Sequence, residues 1–204
     1  MNKTRLPYLA APLLISVYGL VRLLDGLDGR HGPGVLWVLG HLAFLVSIVL
    51  FVPVLRGLRE AATAGGGTAS RVVATGATVV GLAGAAAAFV QIAIDIWVGA
   101  TAADADEMSR MFDRVQSVPG VQAIVYGPGP ALFYLGLLAL LVGCAVARAI
   151  PVWTPAVALA GVVASLASLD LLPLTGALVL VPLLPLWHAG FRADAGALPA
   201  RGRA

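Results

Sequence analysis

Charge is scarce in this chain: Asp, Glu, Lys and Arg make up 11% of its 204 residues, against about 25% in a soluble domain. That scarcity excludes an ordinary water-facing fold. Cys144 is the only cysteine, so there is no intrachain disulfide and no thiolate metal cluster. The only lysine is Lys3, outside every apolar segment, which excludes a retinal Schiff base. Missing too are the P-loop, the GxSxG elbow and the HExxH helix, and with them the chemistries those motifs carry. The net charge of +3 sits in short basic runs between apolar segments, not on one face or helix. These are topology signals, not a nucleic-acid surface.

What is present is apolar: 60% of the residues are hydrophobic and the mean hydropathy is +0.95. Six segments are long and uncharged enough to cross about 30 Å of hydrocarbon as helices: 6–24, 33–55, 73–99, 130–148, 152–171 and 174–190. The expected fold is all-α, a polytopic membrane bundle of six transmembrane helices in one domain, 1–191. The basic head has no small-x-small cleavage site before Arg22 and reads as a retained first span. Asp170, Pro173 and Thr175-Gly176 separate the fifth span from the sixth.

The positive-inside bias sets the orientation. Lys3, Arg5, Arg56, Arg59, Arg71, Arg148, Arg192, Arg201 and Arg203 share one side; Arg22, Arg30, Arg110 and Arg114 share the other. Both termini are therefore expected in the cytoplasm, with the chain in the cytoplasmic membrane. The stretch Arg56–Arg71 reads as a flexible linker, and 192–204 as a disordered cytoplasmic tail. The external loop, 100–129, holds Met108, Met111, Phe112 and Val115 at helical spacing behind Asp104, Asp106 and Glu107. This predicts a short external amphipathic helix resting on the membrane boundary or on the mouth of the bundle. It reads either as a connector or as a lid.

Helices in lipid associate through small residues that let backbones approach. Gly81, Gly84, Ala85 and Ala88 offer such a face on the third span, and Ala160, Ala164 and Ser168 on the fifth, which places both helices centrally. Pro12, Pro182 and Pro185 fall inside spans, where each frees a carbonyl.

Ionisable groups within spans are costly unless paired or hydrated, so they are the candidate site. Asp95 lies about one turn from the outer end of the third span, with Gln91 one turn deeper on the same face. His41 lies about 12 Å below the outer surface, Asp170 at the outer end of the fifth span, and Trp37 and Tyr18 at comparable depths. The functional reading is an outward-facing polar pocket for a small ligand or protons, with Asp95 as central acid, His41 as its partner and Gln91 orienting. The alternative is that the acids are interfacial, paired with Arg22 or Arg30, and that His41 bonds a neighbouring carbonyl. A bis-histidine haem fails, because His188 lies about 15 Å from His41 along the membrane normal. A zinc site of His41, Asp95 and Asp170 lacks a His pair at helical spacing. No catalytic residue, metal or cofactor is assigned.

The passage Ala131–Val163, an apolar span, Arg148, a turn with Pro151-Val-Trp153 and a second span, and the passage Gly40–Glu60 together resemble small six-helix bacterial membrane proteins of the family called domain of unknown function 4386. The resemblance covers about half the chain and implies a six-helix membrane fold. It implies no activity and carries over no site residues. The expected partners are the bilayer and either a small ligand or a membrane partner protein, with no nucleic acid. Three functions fit: a non-enzymatic carrier or binder, an intramembrane enzyme acting on a lipid or isoprenoid, and a structural or regulatory subunit.

Overall fold

The computed structural model describes residues 5–27, 29 and 31–196, with side chains described as far as His188. Lys3, Arg30, Arg201 and Arg203, used above for orientation, lie outside the described residues, as do residues 197–204 of the expected tail. Arg192 falls in the last turns, whose side chains are not described.

Among the described residues there are seven α-helices and no strand: α1 Leu6–Asp25, α2 Val35–Thr63, α3 Thr68–Thr101, α4 Ala105–Gln116, α5 Pro128–Val146, α6 Thr154–Ala167 and α7 Leu172–Gly196. A π-helical turn, Val121–Val125, leads into α5, and a 3-10 turn, Leu169–Leu171, leads into α7. Five stretches are long and apolar enough to cross a membrane: Leu6–Asp25, Val35–Thr63, Thr68–Thr101, Val121–Val146 and Leu169–His188. Their outer surfaces expose Val17, Leu20, Val49, Val79, Phe89, Leu135 and Val142. An apolar exterior this extensive suits lipid rather than water.

The fifth expected span, 152–171, is helical only as α6, whose 14 residues rise about 21 Å. Even so, α6 carries the chain from one end of the bundle to the other. It leaves the end where the Cys144 thiol reaches the Leu58 carbonyl at 3.3 Å and arrives where Asp170 meets Arg22 at 3.7 Å. The break before α7 falls at residues 168–171, upstream of the expected Thr175-Gly176. Pro173 fits the first helical turn, which needs no N–H from it, and the Thr175 hydroxyl bonds the Gly161 carbonyl at 2.8 Å, so this pair packs inside α7 instead of ending it. Pro12, Pro53, Pro182 and Pro185 are likewise all inside helices.

The linker expected over 56–71 is mostly helix. Only residues 64–67 connect α2 and α3, because the Ala, Leu, Arg and Glu before the glycine run favour helix and the glycines alone stop it. Small residues decide the packing. A Cβ on Gly84 would meet the Phe133 backbone, and one on Gly136 the Gly81 backbone, so α3 and α5 touch main chain to main chain. Gly81, Gly84, Ala85 and Ala88 are all buried, which is the face expected on α3. On α6 the buried face is Ala158, Gly161, Val162 and Ser165, whereas Ala160 is exposed. That corrects the expectation for the fifth span: α6 packs against α7 and touches α5, so it is peripheral. Small residues occur all round it, and their spacing alone does not select the packed side.

Candidate functional site

The site lies where the C-terminal ends of α1 and α3 meet the N-terminal end of α2. His41 and Asp95 are both buried, at 5% and 9% exposure. One carboxylate oxygen of Asp95, Oδ2, is 3.8 Å from His41 Nε2. The other, Oδ1, accepts a 2.8 Å hydrogen bond from the Tyr126 hydroxyl.

The state of the imidazole follows from its other contacts. His41 Nδ1 is 2.8 Å from the Trp37 carbonyl, which can only accept, so Nδ1 carries a proton. In a neutral ring, Nε2 is then a bare acceptor facing the carboxylate. At 3.8 Å the two atoms are in contact but beyond hydrogen-bond distance, and the Tyr18 hydroxyl, 3.4 Å from Nε2, is placed to donate to the bare nitrogen.

Aromatic side chains hold the pair in place. The Trp37 and His41 rings stack with centroids 4.2 Å apart, and Tyr18 stacks on Phe44 at 4.8 Å. The Trp37 indole Nε1–H also donates to the Asp95 main-chain oxygen at 2.7 Å. This close approach needs Gly99, because a Cβ there would run into the indole ring.

The segment between α3 and α5 covers the cluster. Asp104 caps α4 by accepting from the Glu107 N–H at 2.7 Å, while the Glu107 carboxylate accepts from the Ala103 N–H at 2.8 Å. This reciprocal capping fixes where the helix begins. Met108 and Met111 then pack on Val98, with Trp37 and Phe112 beside them. The apolar face of α4 thus rests on the mouth of the bundle, and Tyr126, from the turn that follows the π-helical segment, closes the far side of Asp95.

The other expected residues lie apart. Gln91 is half-buried and makes no side-chain hydrogen bond among the described residues. Asp170 is exposed and meets Arg22 at 3.7 Å, away from His41 and Asp95. The structure therefore combines parts of both sequence readings: Asp170 is exposed beside Arg22 and His41 bonds a carbonyl, yet Asp95 is buried against His41. Among the described residues, no group of three or more His, Cys, Asp or Glu side chains converges to hold a metal ion.

Two features were missed in the sequence. Tyr126 sits in a Gly/Pro-flanked turn, where a tyrosine reads as an interfacial anchor. A second acid–imidazole pair, Asp25 and His31 at 3.5 Å, lies near the same end of the bundle. Between Asp25 and Arg22 on one side and Tyr18 and His41 on the other is a cavity of about 10 Å³, room for about one water. Comparison of the chain with protein-family models, with curated proteins and with solved structures finds no match.

Proposed function

We propose that this chain is a non-enzymatic, multi-pass protein of a bacterial cytoplasmic membrane that takes up and releases a proton at the Asp95–His41 pair. The observation that carries the reading is the 3.8 Å separation of two buried titratable groups whose remaining atoms are already committed. The water-sized cavity supports it, because a single water there would link the pair to Asp25 and His31 near the surface. Notably, the same cavity is far too small for a lipid or metabolite, so protons are favoured over a bound ligand and over an enzyme acting on lipid.

In this reading the chain crosses the membrane six times, with α6 as its shortest crossing, accommodated by local thinning of the bilayer. The positive-inside bias puts both termini in the cytoplasm and α4 outside. Trp37 and Tyr18 position the imidazole, and α4 with Tyr126 limits access from outside. The resemblance to the six-helix family supports the topology and adds no activity.

The test is proton uptake by the purified chain in detergent, read with a pH dye after an acid jump, together with the carboxylic-acid infrared band across a pH titration. The wild-type chain is expected to show a titrating band and proton uptake, and Asp95→Asn to lose the band and take up less while remaining folded. An unchanged band and equal uptake from wild type and Asp95→Asn would overturn the reading.

A further inference from the structure

At the end of the bundle opposite Asp95, the start of α1, the last turns of α2 and the second half of α7 flank an open cavity of about 480 Å³, within the usual range of ligand sites. Arg5, Tyr8, Arg56, Gly57, Glu60 and Leu186 line it. Arg5 precedes the first residue of α1, so the cavity sits where that helix leaves the hydrocarbon. Its guanidinium is oriented by a 3.3 Å hydrogen bond from Nη1 to the Leu186 carbonyl, which leaves further N–H donors free to face the cavity. The Tyr8 hydroxyl reaches the α2 backbone because residue 57 is glycine; a Cβ there would overlap it. Neither Arg5 nor Arg56 is ion-paired with Glu60 within 4.0 Å.

Two guanidinium groups and a phenol converging on one space make a donor set for a phosphate: planar forks that bind its oxygens in pairs, with a hydroxyl beside them. The sum over Arg5, Arg56 and Glu60 is one positive charge, which matches a single phosphodiester. The site opens at the level of the headgroups, and apolar Val49 and half-buried Val52 of α2 lie farther along the same helix toward the bilayer centre, Val49 exposed. From this geometry we infer that the cavity binds the phosphodiester of an anionic glycerophospholipid, with the acyl chains running down the outside of the bundle. The site is remote from Asp95 and rests only on the chain being embedded in a membrane, so it stands or falls separately from the proton reading.

Native mass spectrometry of the full chain in detergent tests it, using dioleoylphosphatidylglycerol, dioleoylphosphatidylcholine and soluble glycerol phosphate as probes. Phosphatidylglycerol is expected to be retained in preference to phosphatidylcholine, and glycerol phosphate to bind far more weakly. The double variant Arg5→Gln/Arg56→Gln is expected to lose about thirtyfold in phosphatidylglycerol retention, the scale of two basic residues at an anionic surface. Arg59→Gln removes the same charge outside the cavity and is expected to leave retention unchanged. If the double variant fails to fold, Tyr8→Phe keeps the ring, removes only the hydroxyl, and is expected to cost about threefold. Equal retention of phosphatidylcholine, equal loss from Arg59→Gln, or equal binding of glycerol phosphate would each overturn the inference.

Discussion

Trp37 clamps Asp95 by its backbone rather than by its charge: the indole Nε1–H donates to the Asp95 carbonyl oxygen at 2.7 Å. The Trp37 carbonyl meanwhile takes His41 Nδ1 at 2.8 Å. One residue on α2 thus sets the position of both members of the acid–imidazole pair, which lie on different helices.

Gly99→Ala should break that arrangement. The added Cβ meets the indole ring, so α2 and α3 must separate or Trp37 must turn away. Overpacking of this kind costs about 1–3 kcal/mol. Lower thermal stability in detergent, with a changed Trp37 emission measured against Trp37→Phe, is the expected outcome. An unchanged melting temperature would mean that the ring contact is not a constraint.

Tyr126→Phe isolates the closure of the site by the π-helical segment. It removes the hydroxyl that donates to Asp95 Oδ1 and leaves the ring near Phe112, 6.4 Å between centroids. An intramolecular hydrogen bond contributes about 0.5–1.5 kcal/mol. Amide exchange at residues 121–126 should therefore rise while that of α3 stays slow. Equal protection in both proteins would show that the segment is held by something other than Asp95.

Asp95, His41, Trp37 and Tyr18 were legible in the sequence because polar and amphipathic side chains inside apolar runs are rare and their depth follows from helical rise. Depth does not give azimuth, however. Gln91 and Asp170 have suitable heights, but Gln91 makes no side-chain hydrogen bond to the pair among the described residues and Asp170 faces Arg22 on α1. Tyr126 was not legible, since it reaches Asp95 only after the chain folds back through a π-helical turn from Gly120, whose φ of +87° suits glycine. For the fold, helix existence followed from apolar length, and the α3 face from its glycines. The length of α6 and its packed side depended on neighbours that spacing does not specify.

Asp104→Ala tests how firmly α4 is seated. The substitution removes the side chain that caps the helix, a loss of about 1 kcal/mol. Met108 and Met111 still have Val98 to pack on, so the effect should be local: faster amide exchange in the first turn of α4 with little change in overall melting. Global destabilisation would instead make α4 part of the cooperative core.

Arg22→Gln and Asp170→Asn address the ion pair of Asp170, an acid whose depth alone made it a candidate for the site. The Asp170 side chain is 58% exposed and its contact with Arg22 is 3.7 Å, so solvent screening keeps the pair to about 0–1 kcal/mol. Asp170→Asn should therefore be nearly silent in thermal unfolding. Arg22 lines the small cavity beside Tyr18 and His41, and so Arg22→Gln should alter proton uptake more than stability. Matching effects from the two variants would tie Arg22 to the ion pair alone.

Gly84 and Ala160 make the sharpest contrast, because both are small residues at helical spacing in apolar helices and only one is in an interface. A side chain on Gly84 has nowhere to go: its Cβ position is occupied by the Phe133 backbone, which cannot move without shifting α5. Ala160 faces outward from α6 and is exposed. Gly84→Leu should therefore prevent recovery of folded protein, whereas Ala160→Leu should melt within about 0.5 kcal/mol of the wild type, as surface substitutions do. If Ala160→Leu instead leaves the monomer folded but removes a larger species from size-exclusion chromatography, the outer face of α6 is an assembly surface. That result would favour the structural-subunit reading over proton handling, because it would put a constraint where the bundle itself has none.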